Sequence, residues 1–175
     1  MLNLIKFFIT VIIVFSTFSS YSKDLNLPEN LIIYENLKEY DSVSFKNRFD
    51  KDINLKNYKG NLLLMNFWAT WCEPCKKEMP SLDKLAIDPN FQNLTILPIN
   101  IGQEKINKIE EFYIETNIEN LDIFFDTDVK LAKKFLLRGV PTTVIMNKGG
   151  KEIARVVGSV DFQDEKFKTW LQKFD

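Results

Sequence analysis

The stretch NFWATWCEPC, Asn66 to Cys75, holds both cysteines of a 175-residue chain. Glu73 and Pro74 alone separate Cys72 from Cys75. Three chemistries suit such a pair: a structural staple, a metal clip and a reversible dithiol–disulfide switch. In the chain-entropy model, closing a loop of about 4 residues stabilises by about 2 kcal/mol, against about 4.7 kcal/mol for a loop of about 100. A lone staple would therefore do more between distant elements. Structural zinc needs four ligands, and the chain has no third cysteine and no histidine. Two thiolates suffice for the soft ion Cu(I), so that reading stays open beside the redox one. The missing histidine also excludes Ser-His and Cys-His catalysis. Any general acid or base must be a carboxylate, lysine, tyrosine or thiol.

The redox reading explains where the cysteines stand. NLLLMNFW, residues 61–68, is a continuous apolar run and reads as a buried central strand. Residues 73–86 read as a helix with Met79, Leu82, Leu85 and Ala86 on one apolar face. Pro74 suits the first turn, and Pro80 predicts a kink. Cys72 then sits at a helix N-terminus, where unpaired N–H groups and the dipole stabilise a thiolate. Cys75 follows one turn later on the same face, able to resolve a mixed disulfide formed at Cys72. Lys76 and Lys77 favour the thiolate, and Glu73 opposes it.

Short strands are predicted at 42–45 and 52–55, buried or partly buried strands at 94–101 and 122–126, and helices at 105–116, 129–136 and 162–174. TTVIMN and KEIARVV flank Gly149-Gly150, a hairpin signal. The element order is α/β, with a mixed sheet flanked by helices. Hydrophobic residues make up 45% of the chain, enough for a real core. The 23 basic and 24 acidic residues leave no electrostatic footprint for nucleic acid.

At the N-terminus, Lys6 precedes an uncharged run from Phe7 to Phe18, and small residues follow before Lys23. Residues 1–22 read as a secretory signal. The run spans about 18 Å as a helix, short of a hydrocarbon core of about 30 Å, but extension from Leu2 to Tyr21 leaves an uncleaved anchor open. Either way the domain is exported to a disulfide-permissive, periplasmic setting. Residues 23–41 read as a linker with a lead-in strand at Leu31–Tyr34, and 42–175 as the domain.

NFWATWCEPC followed by KKEMPSLDKL, together with LRGVPTTVIMNKGGKEIARVVG (Leu137–Gly158), resembles thioredoxin-fold proteins of the TlpA/ResA type. These are exported thiol–disulfide reductases, often tied to the membrane. The resemblance covers residue 42 to the C-terminus. It implies a thioredoxin fold with N-terminal strands and a helix–strand insertion at Gln103–Phe125. It also implies a cis Pro141 facing the cysteines, and a Val140 backbone that binds substrate chain in strand fashion. Asn66 stands where thioredoxin proper carries a buried acid, and a satisfied core amide is its expected role. In NIGQE, Gln103 falls where the family places a glutamate. Glu104 replaces it as an acid/base only if the turn shifts by one residue; otherwise it is a solvent-facing first-turn residue. Trp71 is expected at the site rim, Trp68 in the core or flanking the site, Trp170 against the last helix, and Arg138 on the surface.

The implied function is a monomeric reductase with no cofactor beyond the Cys72–Cys75 disulfide. A membrane electron donor would recharge it. Apocytochrome c or a copper-site protein would be its partner. An oxidase of the same fold, a Cu(I) module and a redox-dead interaction domain are the rival readings.

Overall fold

Residues 62–68 have no polar alternation, and they form a strand covered on both faces. This is β4 (Leu62–Trp68), every residue of which is buried. Leu62, Leu64 and Trp68 point into one core, while Leu63, Met65 and Phe67 point into the other. The structure, a computed structural model, describes residues 27–41 and 43–175. The expected signal or anchor segment, residues 1–22, lies outside the described residues, as does Ser42.

Around β4 the chain runs β1 (Leu31–Lys38), β2 (Ser44–Asn47), β3 (Asp52–Asn54), β4, α1 (Glu73–Ala86), β5 (Leu94–Asn100), α2 (Ile106–Glu115), β6 (Phe124–Phe125), α3 (Lys130–Lys134), β7 (Thr142–Met146), β8 (Glu152–Val157) and α4 (Glu165–Leu171). One sheet orders the strands β1-β8-β7-β4-β5-β6-β2-β3. β5 is parallel to β4, and β7 is antiparallel to it. The mixed α/β sheet expected from the sequence is present, with helices on both faces. α1, α2 and α4 contribute to the core that holds the cysteines, and α3 contributes to the other.

Several boundaries move. The lead-in strand is longer than expected and is a full member of the sheet, pairing antiparallel with β8. The strand expected at 42–45 lies at Ser44–Asn47. The strand expected at 122–126 shrinks to Phe124–Phe125, because it pairs only with the last two residues of β5 and with the end of β2. The helix expected at 129–136 covers Lys130–Lys134, and Leu136 turns left-handed at φ 51°. The last helix starts at Glu165 rather than at 162, because the Asp164 carboxylate accepts the Phe167 N–H at 2.8 Å and caps it there. α1 runs through Pro80 to Ala86; the missing N–H leaves the Lys76 carbonyl without its helical donor.

One buried polar cluster ties the edge of the sheet to the loop before β7. The Arg155 guanidinium donates to Glu152 at 2.8 Å and to the Phe135 carbonyl at 2.8 Å. The Tyr40 hydroxyl donates to the same glutamate, whose side chain has no solvent exposure. Removing one member of a buried pair strands the other charge. Arg155→Met should therefore lower the unfolding free energy in urea by about 3–5 kcal/mol. Adding Glu152→Gln should recover much of that loss.

Candidate active site

Ala69, Thr70 and Trp71 carry the chain from the end of β4 to Cys72, which is the N-cap residue of α1. Its extended backbone (φ −89°, ψ 103°) ends the loop, and its Sγ accepts the Cys75 N–H at 3.2 Å. A sulfur thus takes the place of the usual capping oxygen. On reduction, the same N–H group would face a thiolate, reinforced by the helix dipole. Cys72 and Cys75 are joined in a disulfide. Both cysteines are buried, Cys75 completely and Cys72 at 4% exposure, so Cys72 is the one nearer the surface. Glu73 and Pro74 are exposed beside it. Glu73 pairs with Lys76 at 3.1 Å, which offsets part of each charge near the sulfur.

Val140-Pro141 is the cis peptide bond expected at this position. Val140 packs against the cluster that contains both cysteines. The Pro141 carbonyl accepts the Gly158 N–H at 2.9 Å, and the Thr142 hydroxyl donates to the Gly139 carbonyl at 2.8 Å. These bonds fix the loop beside the disulfide. Trp71 is exposed at the rim, at 63%. Trp68 is a core residue, packed on Phe112 and Tyr113. Trp170 packs between Phe167 and Phe174, and Arg138 is on the surface.

Behind the disulfide lies a carboxyl group that the sequence reading did not single out. Glu78 is one turn beyond Cys75, so it shares its face of α1, and it is 2% exposed. Asn66 Nδ2 donates to Glu78 at 2.8 Å and to the Thr143 hydroxyl at 2.9 Å, and the Val160 N–H donates to Glu78 at 3.2 Å. Burial raises the Glu78 pKa to about 7, against the lowering effect of the Asn66 and Val160 hydrogen bonds. Asn66 is only half the satisfied amide expected, since its Oδ1 has no partner among the described residues. The sequence signal was present: a glutamate within the inward stripe of Cys75, Met79 and Leu82.

The second carboxylate is Glu104. Gln103 adopts a left-handed conformation (φ 56°) and is exposed. That turn brings Glu104 inward, so the first-turn, solvent-facing role expected for it is overturned. Its side chain is 6% exposed. It accepts the Thr70 N–H at 3.3 Å, the Thr70 hydroxyl, and Asn100 Nδ2 at 2.8 Å, and it pairs with Lys108 at 3.4 Å. Burial alone would raise its pKa, but the bonds from Thr70, Asn100 and Lys108 outweigh burial and hold it below the usual carboxylate value. Glu104 therefore stays ionised near neutral pH and clamps the loop that presents Cys72. Gly102 makes room for it: a Cβ there would lie 2.7 Å from the Glu104 carboxyl carbon.

A thioredoxin fold with a Cys-x-x-Cys disulfide at a helix N-terminus, beside a cis-proline loop, defines a thioredoxin-like domain. Residues 38–153 match the AhpC/TSA family model, and the chain belongs to that family. It is 34% identical over 110 residues to the thiol-disulfide oxidoreductase ResA of Bacillus subtilis strain 168, covering 63% of this chain and 60% of that protein. The matched stretch thus spans less than two thirds of this relative's length. Among solved structures, a secreted thiol-disulfide isomerase from Corynebacterium glutamicum superposes with TM-score 0.67 at 18% identity, over 85% of this chain and 95% of that one. StoA from Bacillus subtilis superposes with TM-score 0.61 at 23% identity, over 73% and 96%.

The two carboxylates yield separate tests. Burial pushes the Glu78 carboxyl up to about 7 in the fold from its ordinary 4.5, so the folded state binds more protons between those values. Stability should then fall as pH rises from about 4.5 to about 7, by on the order of 3 kcal/mol. Urea titrations of the oxidised protein should show this slope in wild type and lose it in Glu78→Gln. For Glu104 the sign is opposite: its stabilisation is present above the unfolded pKa and is lost as pH falls through the lowered folded value. At neutral pH, Glu104→Gln and Gly102→Ala should each destabilise by about 1–2 kcal/mol. The double variant should cost clearly less than their sum, because both break the same clamp.

Proposed function

We propose that the chain is an exported thiol–disulfide oxidoreductase that reduces disulfides of partner proteins. The observation that carries this reading is the Cys72–Cys75 disulfide capping α1 with the Cys72 sulfur at the surface side. In the reduced protein, the Cys72 thiolate attacks one sulfur of a partner disulfide. The partner's S–S bond breaks, one partner thiolate leaves, and a mixed disulfide forms. Cys75, deprotonated, then attacks the Cys72 sulfur. The Cys72–Cys75 bond forms, the mixed disulfide breaks, and the second partner thiol is released. Two electrons pass from the dithiol to the partner. Glu78, with a pKa near neutrality, is the base for the Cys75 proton; a general base works best with its pKa near the working pH.

No separate cofactor enters this reading, because the dithiol is itself the electron carrier. An electron donor at the membrane must then restore it. The exported setting rests on the apolar N-terminal run and on relatives such as the secreted isomerase. No helix among the described residues is long and apolar enough to cross a membrane. Apocytochrome c and copper-site proteins are the partners we favour, on the resemblance to the ResA type. The Cu(I) reading would leave the buried, titratable Glu78 without a role.

The discriminating experiment is trapping. Cys75→Ser should accumulate a mixed disulfide through Cys72, and mass spectrometry of the adduct should identify the attached protein. If Cys72→Ser traps as well as Cys75→Ser, the assignment of nucleophile and resolving thiol is wrong.

A further inference from the structure

Beside the loop that ends in Pro141 opens a groove of about 700 Å³. β1 supplies Ile32 and Tyr34 to its walls, and β8 supplies Val157. Leu136, from the segment after α3, completes an apolar rim. Ile32, Val157 and Leu136 are 46%, 41% and 80% exposed. Leu136 adopts a left-handed backbone, φ 51°, unusual for a non-glycine residue. Apolar side chains held in water, one of them at a strained position, point to a binding surface.

The charge on the walls has one dominant sign. Lys38, Lys134 and Arg138 line the groove, with Arg155 at its floor. Glu39 is the one acidic residue among the lining side chains, and it is engaged by Lys151. Arg155 is committed to Glu152. Lys38 lies over the Tyr34 ring at 3.6 Å, and Arg138 makes no ion pair among the described residues. A chain with formal net charge −1 thus carries a local cationic surface along this groove.

The groove reaches the reaction site only through the 135–141 loop: its Tyr40 and Phe135 walls belong with the core on the other face of the sheet from the cysteines, and Val140 packs against both cores. Thr142 lines it, pairs with Val157 in the sheet, and directly follows Pro141. The Phe135 carbonyl is pinned by Arg155, so both ends of the 135–141 loop are anchored. Whatever contacts the Val140 backbone can extend into the groove without leaving this rigid segment.

We propose that the groove holds an extended segment of the disulfide-bearing partner that combines apolar side chains with carboxylates, while the partner's disulfide meets Cys72. This rests on the thiol–disulfide reading above. It deepens that reading by assigning a partner chemistry. Apolar side chains would cover Ile32, Leu136 and Val157, and the carboxylates would meet Lys38 and Arg138. The cationic walls would speed encounter as well as select the partner.

The test uses the reduced full-length protein and two synthetic peptides of equal length. Each has one internal disulfide, flanked either by leucine and glutamate or by leucine and lysine. Wild type should reduce the acidic peptide at least about 10-fold faster than the basic one, with the preference shrinking in high salt. Lys38→Glu with Arg138→Glu should abolish or reverse the preference. Leu136→Ser should slow both peptides together. Equal rates for the two peptides in wild type, or a preference unchanged by the charge reversal, would overturn the proposal. So would loss of binding to phosphatidylglycerol vesicles in the charge-reversal variant with peptide preference intact, since the face would then be a lipid-docking surface. Hydroxyethyl disulfide separates the two levels. If wild type fails to reduce it, the oxidoreductase reading falls and takes this one with it. If wild type reduces it but does not discriminate between the peptides, only the groove assignment falls.

Discussion

The site depends on a strand that is buried on both faces and must hand the chain to a helix within a few residues. β4 is buried along its whole length, and burial continues through Ala69 and Thr70 before Trp71 emerges. The Trp68 carbonyl accepts the Ile101 N–H at 3.0 Å, and the Ala69 carbonyl accepts the Cys72 N–H at 3.2 Å. The backbone is thereby turned so that position 72 caps α1. Any residue there would have its side chain aimed at the first N–H groups of the helix. A cysteine at that position has its sulfur set against hydrogen-bond donors before any partner arrives. Preorganised donors of this kind need no rearrangement when charge develops. Cys75 follows from the helix period alone, one turn inward and fully buried.

That placement imposes a cost on the core behind it. Glu78 and Asn66 occupy interior positions where leucine or methionine would pack without desolvation. A carboxyl kept near half-ionised by burial is unfavourable for folding through much of the neutral range. One amide oxygen beside it has no partner among the described residues. Such groups persist where function requires them. Glu78 lies one helical turn from Cys75, with Asn66 of β4 bonded to it, so these polar groups sit together behind the disulfide-bearing turn.

The parts of this architecture that were legible in the sequence are those set by period and by position. β4, α1, the β7–β8 hairpin and the cysteine pair follow from apolar runs, helical spacing and a Gly-Gly turn. The cis Pro141 was legible only through family resemblance, since nothing in the local composition distinguishes it from an ordinary proline. Glu104 was ambiguous because a left-handed Gln103 has no reliable signature in one sequence; the turn could be counted only once it was seen. Glu78 was missed because a glutamate inside a lysine-rich helix start, KKEMP, looks like surface charge. Its burial is decided by Asn66 and Val160, which meet it from other parts of the chain. β1 was understated for a related reason. Its residues remain largely exposed, so hydrophobic pattern could not show that β8 needed a partner there.

The two carboxylates near the site show how one protein assigns opposite tasks to the same functional group. Both are taken out of water. Glu104 receives donors from Thr70, Asn100 and Lys108, enough to outweigh desolvation, and is a fixed anion. Glu78 receives one side-chain amide and one long backbone bond, too few to do so, and its pKa rises to about 7. The difference is one of depth as well as of donors: Glu78 is the more deeply buried of the two and has the fewer donors. A fixed anion suits a clamp, because a loop held by a titrating group would loosen whenever that group took up a proton. A group poised near neutrality suits a thiol that must lose its proton in one direction of the reaction and regain it in the other. Exchanging the two environments would give a loop that slackens at neutral pH, so depth and donor count together decide which carboxylate is a fixed anion and which is poised to titrate.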